Sequence, residues 1–480
     1  MSFRKILSNS ALVLGGEVAD RILRLLLVLF APRLLGDAAY GKFHFAIMYT
    51  NLFLILADFG VHQLLVRDIS RDRSKSQHLT SNGLTLKLIL ASVTIVLLYL
   101  ITSFSGKPSA DVAAVHLMGW AMIAGSFSEF FASVFRAHQR MSYDVIATLI
   151  FGAVVNAVGL TVLFMGYNFV ILCSVYLLAQ MVRLLYCLGV MQFRFVKLRL
   201  GFDFATIKYL GTESFTFGIL YFFALLYTNV DSTMLSFMTN DETTGWYGVA
   251  YRLINAMMFI PVALMKVVFP ALSQYFNESM EKFRALFERS FKVMLLVGFS
   301  LASLVYATAD RIILLMWGEE FLPAAGALKI LVWSNAIIFV GTVQTHTTRA
   351  SNHQSFTAKV VAVSAVLNIL LNFALIPRYS LYGAAFATIA SELFTFGFHS
   401  VYLSKQLVKP PLLKLAPKII IISFLTILYI VAISEVSLVI IVPSSLLVIG
   451  TLMVLTRYFT REEINFIKKL AKGPGKIAIS

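Results

Sequence analysis

Apolar stretches long enough to cross a bilayer follow one another along almost the whole chain, from Asn9 to Tyr458. A helix rises about 1.5 Å per residue, so roughly 20 apolar residues cover a hydrocarbon core of about 30 Å. About fourteen such stretches can be drawn, at 9–34, 40–66, 82–103, 112–137, 145–165, 169–191, 211–237, 246–274, 290–317, 324–347, 356–376, 381–403, 414–433 and 436–458. A backbone inside lipid must satisfy its own polar groups, which leaves the helix as the element for spans of this length. The expectation is an all-α integral membrane protein with about fourteen transmembrane helices.

Charge placement orients these helices. The chain carries a formal net charge of +16, which by itself would admit nucleic acid as a partner. The basic residues, however, recur beside helix ends in every second connection, from Arg67, Arg71, Arg73 and Lys75 to Lys405, Lys409, Lys414 and Lys418. The opposite connections hold little beyond Lys42, Lys107 and Arg378, a bias of roughly 28 to 3. The positive-inside rule accounts for that pattern and excludes a nucleic-acid footprint. It places both termini in the cytoplasm and the protein in the cell membrane, the inner one where there are two. The first span contains Glu17, Asp20, Arg21 and Arg24 and no small-residue cleavage site, so it reads as a retained helix rather than a signal peptide. With 59% hydrophobic and 13% charged residues, soluble multidomain folding is also excluded. Cys173 and Cys187 both fall in the sixth span and read as small apolar residues.

An internal repeat divides the chain. Gly41 to Asn51 aligns without a gap on Gly245 to Asn255, with Gly41 on Gly245, Phe43 on Tyr247, Ala46 on Ala250 and Asn51 on Asn255. Each stretch opens the second helix of its half, so the halves share one topology and relate through an axis along the membrane normal. The resulting domains are 1–193, a six-helix N-terminal lobe; 194–209, a basic cytoplasmic linker with interspersed phenylalanines; 210–405, a second six-helix lobe; and 406–480, two further helices and a basic tail. Phe276, Met280, Phe283, Phe287 and Phe291 recur at helical spacing among charges, which suggests a helix lying in the interface plane, or a solvated loop helix packed on the bundle.

Charges within spans carry the functional signal, because each costs roughly 2.5 to 3.5 kcal/mol at mid-helix unless it is paired or faces water. Glu17, Asp20, Arg21 and Arg24 form one stripe on the first helix. Arg252 and Asn255 lie near the outer third of the eighth helix, and Lys266 returns to nearly the same face about four turns later. Arg183, Asp58, Glu129, Glu213, Asp231, Lys329 and Glu392 are further intramembrane candidates, each open to a pairing role or a functional one. Asp310 and Arg311 read as a local ion pair or an interfacial anchor. No nucleotide loop, metal-ligand spacing or catalytic grouping is visible, so no cofactor, metal or enzymatic activity is expected. A membrane glycosyltransferase would need a substantial outer loop, and all the outer connections are short.

The run Pro32-Arg33-Leu34-Leu35-Gly36 through Tyr40-Gly41-Lys42-Phe43, followed by Asp58-Phe59-Gly60, resembles the opening of the Wzx-type polysaccharide flippases of the multidrug/oligosaccharidyl-lipid/polysaccharide exporter superfamily. Val230 to Leu235, Gly245 to Arg252, Gly318 to Phe321, Asn368 to Asn372, Leu375 to Pro377 and Gly383 to Thr388 continue the resemblance in order. It implies two six-helix bundles around a central cavity that opens alternately to either side, plus two C-terminal helices. It also implies a polyprenyl-diphosphate-linked oligosaccharide as cargo, moved from the inner to the outer leaflet. The family's cationic cavity maps onto Arg21, Arg24 and Arg252, with Arg183, Asn255 and Lys266 as further substrate-binding candidates. Arg24 and Arg252 would act as a shared anion clamp. Glu17, Asp20, Asp58, Asp231 and Glu392 are the coupling candidates, with a proton or sodium ion as coupling partner, and polysaccharide assembly proteins are further expected partners. The start of the seventh helix departs from the pattern: Glu213-Ser214-Phe215 stands where the family has a proline. The alternative reading is a related cation-coupled antiporter of drugs or small amphiphiles. The excess of intramembrane arginine weighs against cationic cargo.

Overall fold

The computed structural model describes Leu23 and residues 25–460. All regular elements among them are helical. They are α1 (Leu25–Leu35), then α2 (Asp37–Asp58), α3 (Val61–Arg71), α4 (Ser76–Ser103), α5 (Ser109–Ala137), α6 (Met141–Phe164), α7 (Phe169–Val190), α8 (Phe204–Met238), α9 (Asp241–Met257), α10 (Phe259–Glu278), α11 (Met280–Trp317), α12 (Ala324–Ala350), α13 (Gln354–Gln406), α14 (Leu412–Ala432) and α15 (Leu438–Leu455). Among the described residues ten helices are long and apolar enough to cross a membrane, or eleven if the bent pair α2 and α3 counts as one span. The all-α membrane fold is therefore as expected, and each span from the second onward falls on a helix.

Where the expected spans and the helices differ, the backbone gives the reason. The second span breaks at Phe59 and Gly60, both at positive φ (50° and 82°), and α3 leaves α2 at 43°. Glycine adopts this left-handed region freely, whereas Phe59 pays a steric cost of roughly 1–2 kcal/mol there. The eighth span runs as one apolar stretch from Asp241 to Glu278 with a local irregularity at Met258, shortly before Pro261, whose ring nitrogen cannot donate to the preceding turn. The 53-residue α13 contains the eleventh and twelfth spans, separated by a sharp bend at Ser380 (φ 52°) three residues after Pro377.

Two compact units are distinguished. The first comprises the chain up to Val249 with Met316–Phe321 and Ile369–Ala384. In it α5 packs on α2, α3, α4 and α7, and a core of Val61, Leu64, Phe130, Phe131, Phe135 and Met191 forms around it. Cys173 and Cys187 are buried as free thiols. The repeat glycines meet here. A β-carbon on Gly41 would stand 1.9 Å from the Asp241 carbonyl oxygen, and one on Gly245 would stand 2.2 Å from that of Asp37. Each glycine thus faces the residue four positions before the other, the reciprocal contact that two equivalent helices make where they cross. Only hydrogen side chains permit that approach.

The second unit holds Ala250–Leu315, Leu322–Asn368 and the chain from Ala385. Its core gathers Leu272, Phe283, Phe287, Phe291, Phe339, Leu403 and Ile422. The phenylalanine series at 283, 287 and 291 is fully buried on the first turns of α11. The expectation of a helix lying in the interface plane is therefore corrected: these rings cover neighbouring helices and extend the ninth span rather than enter lipid.

Candidate functional site

A buried charge survives inside a span only when something neutralises it. Asp58, the last residue of α2, is 4% exposed, and the Lys87 side chain from α4 is fully buried. The Lys87 ammonium donates to Asp58 Oδ1 at 2.6 Å and also to the Ser126 hydroxyl of α5. His62, in the first turn of α3, bonds the other Asp58 oxygen across the helix break. The Phe127 ring lies 5.9 Å from the ammonium. Sequence reasoning named Asp58 but missed Lys87, because a lysine near the end of a span looks like one that reaches out to water. A signal existed: Lys87 is the one basic residue between Asn82 and Ser103, and an aspartate in the preceding span requires a cation.

A second network lies on α5, α6 and α7. Arg136 donates to Glu129 at 2.5 Å and to Asp144 at 2.9 Å, and Arg183 stands 3.6 Å from Glu129. Arg183 is thus drawn into an ion-pair network, with its Nε buried and unbonded. Glu213 is exposed and sits 3.5 Å from Arg67.

Asp231 of α8 is 4% exposed. It accepts a hydrogen bond from the Tyr247 hydroxyl at 3.0 Å and another from the Asn372 amide at 2.8 Å. Ser232 beside it bonds His44 at 3.1 Å, and the Asn51 amide reaches Asn229 at 3.5 Å. Tyr247 and Asn372 thus supply two hydrogen bonds to this buried carboxylate from α9 and α13.

Towards the start of α2 and α9 stands a further cluster. Lys42 lies 3.7 Å from both Asp111 and Asp241. Lys107, on the connection between α4 and α5, donates to the Ser236 carbonyl at 2.5 Å and lies over the rings of Phe45 and Phe237. Burial lowers its pKa, against the opposing effect of Asp241 and Asp111. Two of the few cations on the low-charge side are therefore fixed by tertiary partners.

In the second unit Arg252 on α9 is half-buried, while Asn255 on α9 and Lys266 on α10 are exposed. Met258, the one residue between α9 and α10, keeps right-handed helical dihedrals, and Asp241–Glu278 forms one apolar run that carries all three residues. Glu392 is 8% exposed and lines a cavity of about 160 Å³ with His346, Arg349, Thr342 and Thr395. Asp310 pairs with Lys329 at 2.6 Å, and Arg311 donates to the Ser434 and Val436 carbonyls in the connection between α14 and α15. Of the two expectations for these residues, a local ion pair or an interfacial anchor, the ion pair gives way to two separate contacts, since adjacent residues on a helix point about 100° apart. Glu17, Asp20, Arg21 and Arg24 lie outside the described residues. Among the described residues no group of three or more His, Cys, Asp or Glu side chains is placed to hold a metal.

Comparison with known proteins places these observations in a family. The model for the polysaccharide biosynthesis protein family matches residues 6–276, more than half of the chain, and the MatE model matches residues 218–374. A probable low-salt glycan biosynthesis flippase of Haloferax volcanii, Agl15, is 23% identical over 80% of both chains. The solved structure of the lipid II flippase MurJ in an inward closed conformation superposes with a TM-score of 0.76 at 12% identity, covering 94% of this chain and 99% of that one. An inward-facing multidrug MATE transporter superposes with a TM-score of 0.66 at 12% identity, covering 80% and 95%. The fold is that of the MATE and MurJ transporters, and the chain belongs to the polysaccharide biosynthesis protein family of multi-pass membrane proteins.

Proposed function

We propose that this protein is a flippase that moves a polyprenyl-diphosphate-linked oligosaccharide from the inner to the outer leaflet of the cell membrane by alternating access, with both termini cytoplasmic. The observation that carries the reading is the family match over the first half of the chain, joined by flippases among the relatives. Chemistry supports it. A diphosphate brings concentrated negative charge into a region of low dielectric, where arginine supplies a planar fork of donors that lysine cannot reproduce. Arg21, Arg24 and Arg252 are the proposed diphosphate ligands, with Arg183, Asn255 and Lys266 as supporting groups. Arg183 is the weaker member, since Glu129 already neutralises it.

Transport against a gradient needs a coupling ion. Asp231, held by Tyr247 and Asn372, is the proposed carrier of a proton or sodium ion. Glu17, Asp20 and Glu392 remain secondary candidates. Asp58 serves structure in this reading, because Lys87 and His62 occupy its oxygens. The MatE match over 218–374 includes Asp231 and favours, as a second reading, a cation-coupled antiporter of small amphiphiles.

Reconstituted vesicles separate the two readings. The flippase reading expects movement of lipid-linked oligosaccharide, and Arg24→Ala or Arg252→Ala should abolish it while membrane insertion persists. Lysine at either position should restore part of the activity. Normal transport with glutamine at both positions, or export of organic cations without movement of lipid-linked glycan, would reject this assignment.

A further inference from the structure

The segment between α7 and α8 has its inward side fully occupied. The Gln77 side chain of α4 grips the backbone of Lys197 from both sides, donating to its carbonyl at 2.7 Å and accepting from its amide at 3.0 Å. Asn82 accepts from the Asp203 amide, Thr85 donates to the Gly201 carbonyl, and the Gly201 amide donates to the Ser81 carbonyl. Val196 is buried in the core beside α5, and Phe195 packs on Phe135 and Tyr143. The strap is therefore a fixed element, and its outward side chains are presented without further ordering cost.

Those outward side chains have one chemistry. Phe193 is 85% exposed, and Phe202 and Phe204 are each 77% exposed. Between and beside them Arg194, Lys197, Arg199 and Lys208 are exposed and make no ion pair among the described residues. Asp203, the one acid on the strap, is exposed, but its oxygens are taken up by the Ala205 amide and the Thr206 hydroxyl, which cap α8, and by His78 at 3.2 Å. Exposed aromatic rings interleaved with unpaired cations at the end of a transmembrane helix match the boundary between acyl chains and anionic headgroups: rings enter the interface and cations meet phosphates.

We propose that this strap is a docking surface for anionic phospholipid, binding headgroup phosphates through Arg194, Lys197, Arg199 and Lys208 and seating Phe193, Phe202 and Phe204 in the interface. The proposal rests on the flippase reading only for its side of the membrane; lipid retention itself is independent of transport.

The test uses the purified full-length protein in neutral detergent, titrated with phosphatidylglycerol or phosphatidylcholine, with retained lipid counted by native mass spectrometry. The wild type should retain several-fold more phosphatidylglycerol than phosphatidylcholine, and raised salt should erase the difference. The variant carrying R194Q, K197Q, R199Q and K208Q should lose that preference, and F202S with F204S should weaken it. The same four-glutamine protein should still move lipid-linked oligosaccharide in vesicles of neutral lipid, which shows that it is folded. Equal retention by wild type and the four-glutamine variant would overturn the proposal. So would displacement of phosphatidylglycerol by soluble pyrophosphate at stoichiometric concentration, which would mark a diphosphate site instead. Failure of the wild type to transport, with selective retention intact, would reject the flippase reading and leave the lipid surface standing.

Discussion

Removing the Lys87 ammonium leaves Asp58 with a buried negative charge, which makes Lys87→Met the most informative single perturbation. The side chain is fully buried and holds both Asp58, at 2.6 Å, and Ser126. Methionine fills nearly the same volume, so the loss is electrostatic rather than a cavity. Breaking a buried pair by deleting one partner costs about 3–5 kcal/mol, because the survivor keeps its desolvation penalty without its attraction. His62 still bonds the other Asp58 oxygen, which places the expected loss towards the lower end. Asp58→Asn should cost a similar amount by stranding Lys87. The double variant Asp58→Asn/Lys87→Met removes both charges and should lie within about 1–2 kcal/mol of the wild type, giving a large coupling energy in a double-mutant cycle. Thermal denaturation of the detergent-purified protein, read alongside its accumulation in membranes, supplies the measurement. If the two single variants are each as stable as the wild type, or if their losses simply add in the double variant, the pair is not the neutralising device described here.

Two more outcomes follow from local geometry. Gly41→Ala or Gly245→Ala places a β-carbon 1.9 or 2.2 Å from a backbone carbonyl oxygen, so α2 and α9 must part; accumulation and thermal stability should fall sharply. Gly189→Ala, with nothing within 4 Å of its added carbon, should be neutral, and equal behaviour of all three would contradict the close crossing. At the strap, the Thr206 hydroxyl, with the Ala205 amide, holds Asp203 below the usual carboxylate range. A depressed folded-state value means the α8 cap is intact above the ordinary aspartate range near pH ~4 and is lost as pH falls through the lowered value. Hydrogen exchange in the first turn of α8, corrected for intrinsic rate, should stay level down to about pH 4 and rise as the pH falls further through the lowered value in the wild type, and stay flat throughout in Asp203→Asn, whose amide oxygen caps without titrating. A flat wild-type profile would rule out a cap that depends on the carboxylate.

Span positions, the all-α class and the family were legible in the sequence, and the reason is locality. Transfer of a side chain into lipid is a property of that side chain and its neighbours within one helix, so a sum along 20 residues finds the span without knowledge of what packs on it. The pairing of Gly41 with Gly245 was partly legible too: the repeat made them equivalent, although nothing in the sequence showed that they touch. What only the tertiary structure decided is the choice of partner. Lys87 and Asp58 are 29 residues apart, Asp231 and Asn372 are 141 apart, and Asp310 passes over its neighbour Arg311 for Lys329. Phe283, Phe287 and Phe291 suit a membrane surface and a helix interface equally by pattern, and the core around them settled which. Each of these depends on which helix stands beside which and at what height, and a bilayer that demands satisfaction of every buried charge does not specify, within one span, the residue that will provide it.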